Sequence, residues 1–506
     1  MNKTKLRWVK RFKKWHKWPA VAIALFALVF AFSGIVMNHR KIFSPYQVSR
    51  KVLPSNYSYK NWNLGALKGS LVLPNDTVLL FGKIGIYSTD PEFSYYSCKN
   101  RGFKKGIDNR AISSLVYYKG SLYAGSLMGL FHLPALDGSW QEVEIPVKNK
   151  RITDITIKDD TLIVLTRDYL LKSVTGKQFD KIQLPQPVHY KRESSMFRFL
   201  WTLHSGELFG VFGKLFVDLL GIVVVILSLT GLFYFVFPKL GEKIISDRKK
   251  VRRLNRMNLR WHNVLGYVFG LFLLVNTIAG MFLRPPLLIP IAGAAMPIVP
   301  FTHLDNPNPW QDKLRMIRWN EFLNTYIVST SDGFYVVDEG LGTPLKPVES
   351  QPPVSVMGCN VFEPVADDTY LIGSFSGLFS WNVTTGYVFN MMTNQAVSKR
   401  VKSGRPVSDY MVSGLVRFSN KKMWYLDYSK GIQGLVRFHQ KAIMPGSIKK
   451  NSPMSLWNFC LELHTGRIFE SILGPFYILY IPVAGICFML VLVSGFFLWW
   501  WIYRQS

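Results

Sequence analysis

Cysteine is scarce in this chain of 506 residues: Cys98, Cys359, Cys460 and Cys487 are all there is, and no Cys-x-x-Cys-His occurs. Covalent attachment of a c-type haem is thereby excluded, and no paired spacing suggests zinc or iron–sulfur ligation. A bridge between Cys98 and Cys359 stays open, since an oxidising compartment would permit it. No glycine-rich phosphate loop joins a strand to a helix, so no flavin or nucleotide site of the usual kinds is expected. A nucleophile elbow and a zinc-protease motif are also missing. Acidic residues number 31 against 61 basic ones, a net charge of +30, and histidine occurs only nine times.

Long apolar runs, by contrast, are present. Four stretches are long and apolar enough to cross a bilayer as helices: Trp18 to Met37, Gly213 to Phe237, Val264 to Leu283 and Ile472 to Tyr503. Basic clusters abut the first span (Lys3 to Lys17) and fill the link between the second and third (Lys239 to Arg260). Clusters in that position belong on the cytoplasmic side, and are read as membrane-flanking rather than nucleic-acid-binding. Both termini are then expected inside and two large loops outside, in the periplasm of a Gram-negative bacterium. The first span is read as a retained anchor, because no small-residue cleavage site follows it.

The expected domains follow in order. Residues 1–17 form a basic amphipathic segment on the anionic inner leaflet, and 18–39 the first span, with Pro19 in its first turn. Residues 40–196 make a first outer β-rich loop, 197–238 a periplasmic-edge helix and second span, and 239–261 a cytoplasmic basic loop. The third span is 262–284, the second outer β-rich loop 285–455, and 456–503 a second edge helix and fourth span. Lys214 and Asp218, four apart in the second span, are expected to neutralise each other.

Inside the loops, short β-rich runs recur. Thr77 to Gly82 leads to Gly85-Ile86-Tyr87, Ser121 to Gly125 to Gly129-Leu130-Phe131, and Thr161 to Leu165 to Tyr169-Leu170-Leu171. In the second loop Thr325, Thr369 and, more loosely, Met423 open equivalent runs. A period of 40 to 50 residues built of strands is the signature of propeller blades. Three per loop predict a six-bladed, propeller-like all-β domain assembled from both loops; two separate β-rich lobes are the alternative.

The membrane helices are duplicated too. Trp15-His16 precedes Gly34 by the same interval as Trp261-His262 precedes Gly280, and Leu203-His204-Ser205-Gly206 matches Leu463-His464-Thr465-Gly466. Each of the latter leads to an apolar helix with two glycines, Gly221 and Gly231 or Gly485 and Gly495. Eighteen residues are about five helical turns, so histidine and glycine share a face roughly 27 Å apart. In a pseudo-twofold bundle of four helices, equivalent residues meet across the axis: His16 with His262, and His204 with His464. Facing imidazoles on either side of one macrocycle are what bis-histidine haem requires, which predicts up to two b-type haems. The metal would be haem iron, held by the same four residues. His39 is an alternative ligand for the outer site, although Arg284 stands near its counterpart position. His204 lies nine residues before Gly213, so a bend at Gly206, Gly210 or Gly213 must return it to the bundle. His132, His189, His303 and His439 lack metal-ligand spacing and are assigned surface roles.

These motifs, with the exits Ser33-Gly34 and Ala279-Gly280 and the steps Thr230-Gly231 and Ser494-Gly495, resemble the PepSY-associated transmembrane proteins of bacterial inner membranes. The resemblance spans the four membrane segments. It implies a four-helix core with outer lobes, in some members binding haem b and passing electrons to ferric siderophores. The donor would be quinol or a cytoplasmic partner. No PepSY domain is recognisable in the loops, where the blade-like repeats stand instead. A non-catalytic, membrane-anchored binding protein, whose helices only hold the β domain, is the competing expectation.

Overall fold

The computed structural model describes residues 3–244, 248–355, 357–397, 408–418, 422–435 and 442–503. The chain divides into two compact units: 1–43, 192–305 and 456–506 form one, and 44–191 with 306–455 the other. The first is built on membrane helices, the second is β, and both large loops contribute to the single β unit. The expected second loop, 285–455, therefore starts too early, because 285–305 packs with the helices.

The helical unit contains α1 (Lys3–Asn38), α2 (Met196–Ser205), α3 (Gly210–Ile244), α4 (Arg248–Met281), α5 (Leu456–His464) and α6 (Tyr480–Leu498). Four helices among the described residues are long and apolar enough to cross a membrane. Their outward faces are bare hydrocarbon: Leu25, Phe212 and Leu271 are 69, 87 and 68 % exposed, a surface that only lipid would cover without cost. The inward face of α1 carries small residues instead, with Ala24, Ala27, Ala31 and Ser33 all buried, which lets neighbouring backbones approach closely.

Two expected boundaries dissolve. The basic segment 1–17 and the first span are one continuous helix, so Pro19 lies well inside α1 rather than in a first turn. Most of the basic stretch 239–261 is likewise helical, as extensions of α3 and α4. Good helix formers such as Lys and Arg carry the helices past the apolar runs.

Around the bundle, α1 packs against α3 and α6, α4 packs against the same two, α2 lies on α4 and α5 on α1. The glycines explain the repetition. A methyl group on Gly221 would touch Ile35 of α1, and one on Gly485 would strike Met281 of α4. The same joint thus occurs once in each half.

The β unit consists of six groups of antiparallel strands, beginning at Gly69, Ile112, Ile152, Leu314, Val361 and Val412. The recurring runs of the sequence are the second and third strands of each group, for example Ser121–Ser126 and Leu130–Leu133. The first strands are less regular: in four groups a bulge interrupts the pairing near the start, as at Ile152/Asp154. Apolar clusters join each group to the next. Leu79 and Phe81 pack with Leu122, Leu130 with Leu162, Ile163 with Val328, Ile327 with Ile372, and Leu371 with Leu415. The sixth group returns to the first through Val416, Trp424 and Leu80, and its strand Val412–Arg417 pairs in parallel with Gly69–Val72. Cys98 is exposed, Cys359 is buried, and both are unbridged.

Candidate functional site

Each of the motif histidines is seated on a glycine of another helix. A methyl group at Gly495 would lie 2.9 Å from the His16 ring, at Gly231 3.5 Å from His262, at Gly280 2.6 Å from His204 and at Gly34 3.8 Å from His464. The seats are reciprocal. α1 gives His16 to α6 and receives His464 beside Gly34, while α4 gives His262 to α3 and receives His204 beside Gly280.

One hydrogen-bonding scheme serves all four rings. Nδ1 of His16 donates to the Val491 carbonyl, and that of His204 to the Asn276 carbonyl, each 2.9 Å away. Nδ1 of His262 lies 2.9 Å from Thr230 Oγ1 and has Leu227 as its main-chain partner. Nδ1 of His464 lies 2.9 Å from Ser33 Oγ, with Phe30 in the same role. In every case the main-chain partner stands four residues before the seating glycine, so the ring lies along one helical turn of its neighbour.

The tautomer follows. A carbonyl only accepts, so His16 and His204 carry their proton on Nδ1. Ser33 Oγ donates its own proton to Val29 O (2.6 Å), and Thr230 Oγ1 to Ile226 O (2.6 Å). These hydroxyls must therefore accept from the imidazoles, and His464 and His262 are protonated on Nδ1 as well. All four Nε2 atoms are left with a lone pair, and none has a hydrogen-bond partner among the described residues. A metal-binding imidazole has this form, its other nitrogen fixed by a carbonyl.

Two pairs of rings result. His16 and His262 have ring centroids 6.1 Å apart, and so do His204 and His464. Phe30 stands edge-on to His464, 5.2 Å away. Trp15 and Trp261, the other halves of the motif, are 46 and 59 % exposed and take no part. A metal–imidazole bond is about 2 Å long, so two imidazoles on one metal have centroids about 6 Å apart. Among the described residues no group of three His, Cys, Asp or Glu could hold a metal ion. Two imidazoles alone therefore suit a metal whose remaining ligands come from a macrocycle.

His204 reaches the bundle through two bends. Gly206 (φ +78°, ψ −6°) ends α2, a short 3-10 turn follows, and Gly210 (φ +62°, ψ −139°) starts α3. Gly466 (φ +74°, ψ +1°) and Gly474 (φ +53°, ψ −140°) repeat both conformations in the other half. The four extra residues of that copy lie between them, where Glu470–Leu473 adds one helical turn. These φ values favour glycine over any other residue.

His39 is otherwise engaged. Its Nε2 lies 2.6 Å from Asp218 Oδ2, and Asn38 Nδ2 donates to Asp218 Oδ1 at 3.0 Å. The expected Lys214–Asp218 pair does not form, because α1 supplies closer partners; Lys214 Nζ is instead 3.9 Å from Glu207. His303 Nε2 is 3.7 Å from Glu207 in the helical unit, His132 packs on Tyr123, and His439 lies outside the described residues. The sequence pointed to the histidines but not to their seats. The signal available for those was a Ser, Thr or Ala followed by Gly in each long helix, although the last carries two such steps, Ala484-Gly485 and Ser494-Gly495.

A family model described as the PepSY-associated TM region matches residues 1–236 and 140–501. No curated protein matches the chain. Solved structures similar to it include the extracellular domain of a putative hybrid two-component system from B. thetaiotaomicron, with 10% identity and a TM-score of 0.38 over 77% of this chain. This chain spans only 34% of that domain's length. A streptogramin B lyase is similar at 7% identity and a TM-score of 0.35, over 74% of this chain and 94% of its own.

Proposed function

This chain belongs to the PepSY-associated TM family, and from that premise we propose that it is a haem b electron-transfer protein of a bacterial cytoplasmic membrane. His16 with His262, and His204 with His464, would hold the two haems. The observation that carries the reading is the pair of 6.1 Å ring spacings, together with four lone pairs freed by Nδ1 hydrogen bonds. Haem supplies one-electron exchange at its iron. The residues of the chain supply orientation: Gly34, Gly231, Gly280 and Gly495 admit the rings, and the carbonyls and hydroxyls fix their tautomer. The two pairs lie roughly 27 Å apart along α1, one near each end of the apolar run, which suits passage of charge across a bilayer.

The basic residues at the start of α1 and α4 support an inside position for the His16–His262 end, with the β unit outside. Electrons would enter from quinol or a cytoplasmic donor and leave to an extracytoplasmic acceptor, a ferric siderophore being the one implied by resemblance. Six strand groups, each sharing an apolar cluster with the next, support reading the β unit as a six-bladed propeller.

The test is an absorption spectrum of the protein purified in detergent from haem-replete cells. The expected result is a Soret band with α and β bands sharpening on dithionite, and about two haems per chain. His16→Ala and His464→Ala are each expected to remove one, and the double variant both. A folded, colourless wild-type protein overturns the reading and leaves a membrane-anchored binding protein.

A further inference from the structure

The first strands of all six groups line one cavity in the β unit, of about 450 Å³, which is the size of a small-ligand site. Its wall is charged. Arg318 Nη1 donates to Asp154 Oδ2 at 2.6 Å, the Ile317 N–H donates to the same oxygen at 3.0 Å, and Arg318 Nε to the Phe362 carbonyl at 2.8 Å. Ser114 Oγ donates to Asp154 Oδ1 at 3.3 Å. This pair is therefore satisfied within the wall. Glu363 is 3.8 Å from Arg318 Nη2, and burial pushes its carboxyl above the usual range, with Arg318 opposing.

Lys68 differs. It lines the same cavity, yet its Nζ has no hydrogen bond or ion pair among the described residues. Burial pulls its ammonium below the ordinary value of 10.5, and the attraction of Asp154 opposes this only in part. Arg417, the exposed last residue of the strand that pairs with Gly69–Val72, also lines the cavity; it attracts the Glu363 carboxyl, and its guanidinium makes no hydrogen bond among the described residues. Lys68, Arg318 and Arg417 against Asp154 and Glu363 leave the wall positive by one charge, or by two when Glu363 is protonated. Lys68 is partly buried and Arg417 exposed, so the excess positive charge stands where an anion entering the cavity can reach it, and such an anion would offset the desolvation of Lys68.

We propose that this cavity binds a small organic polycarboxylate, with Lys68 Nζ and the Arg417 guanidinium as its anchors and the Asp154–Arg318 pair as a rigid wall. The site is independent of the haem reading: a colourless protein can pass its test, and a red one can fail it.

The probe is citrate, titrated calorimetrically into the full-length protein in detergent, with sodium chloride at equal ionic strength as control. Citrate is expected to bind at one site per chain and to raise the melting temperature beyond the effect of chloride. Lys68→Met is expected to weaken binding at least about tenfold, and Lys68→Arg to keep most of it. Binding requires the protonated amine, so affinity falls with rising pH from a point below 10.5. Without citrate, Lys68→Met is expected to be at least as stable as wild type, because it removes a desolvated charge that Asp154 offsets only in part. The proposal is overturned if citrate and chloride act alike, if Lys68→Met binds as wild type does, or if that variant is destabilised without citrate, which would make Lys68 structural.

Discussion

Gly280 and His204 are in direct contact: a methyl group at position 280 would come within 2.6 Å of the ring's Cε1 and 2.9 Å of its Nδ1. The equivalent contact of Gly34 with His464 is ordinary at 3.8 Å. Pseudo-equivalent glycines thus tolerate a side chain to different degrees.

Gly280→Ala is expected to displace His204, lower stability by about 1–3 kcal/mol and reduce the haem content towards one per chain. Gly34→Ala is expected to keep both. Haem per protein, measured after conversion to the pyridine complex, with the melting temperature alongside, separates the two. Equal behaviour would mean that the glycines do not set the ring positions.

His39 gives a contrast between structure and ligation. Its hydrogen bond to Asp218 holds a carboxylate that is 9 % exposed, so His39→Ala leaves that group with Asn38 alone. A cost on the order of 1–3 kcal/mol is expected, seen as a lower melting temperature, with the absorption spectrum unchanged. Loss of one haem in this variant would instead make His39 the outer ligand.

The cysteines report on the β unit. Cys359 is buried, its Sγ donates to the Val361 carbonyl, and burial pushes its thiol up to about 12. Only the thiolate reacts, so a maleimide is expected to modify exposed Cys98 in the native protein and Cys359 only after denaturation. Raising the pH from 7 to 9 is expected to make no difference to Cys359, because its thiolate forms far above that range. Peptide mass spectrometry resolves the two sites, and protection of both until reduction would reveal a bridge.

Much of this architecture is legible in the chain because repetition makes it so. Trp-His and Leu-His motifs at matching intervals mark which residues are equivalent, and equivalence across an axis brings His16 to His262. Strand runs at a near-constant spacing mark the six groups, although only their second and third strands, the second being continuous buried runs such as Thr161–Thr166. Helix ends were less readable: Lys and Arg continue a helix as well as Leu does, so hydropathy alone placed the start of the first span 15 residues inside α1. The partner of Asp218 was missed for a different reason. Lys214 is near in sequence, but His39 and Asn38 arrive from another helix, and no local spacing encodes that. Lys68 is equally silent, since only the assembled strands place it on a cavity wall with no hydrogen bond to its Nζ among the described residues.

The reciprocal seating of the rings also constrains how the molecule is made. His16 leaves the ribosome early, yet its glycine is residue 495, and Gly34 waits for a ring at 464. Neither half of the polypeptide holds a complete pair, and a product truncated before the last helix has no seat for His16, since Gly495 lies on that helix. Completion of these centres is therefore an event that follows synthesis, with the first helix kept waiting in the lipid for the last.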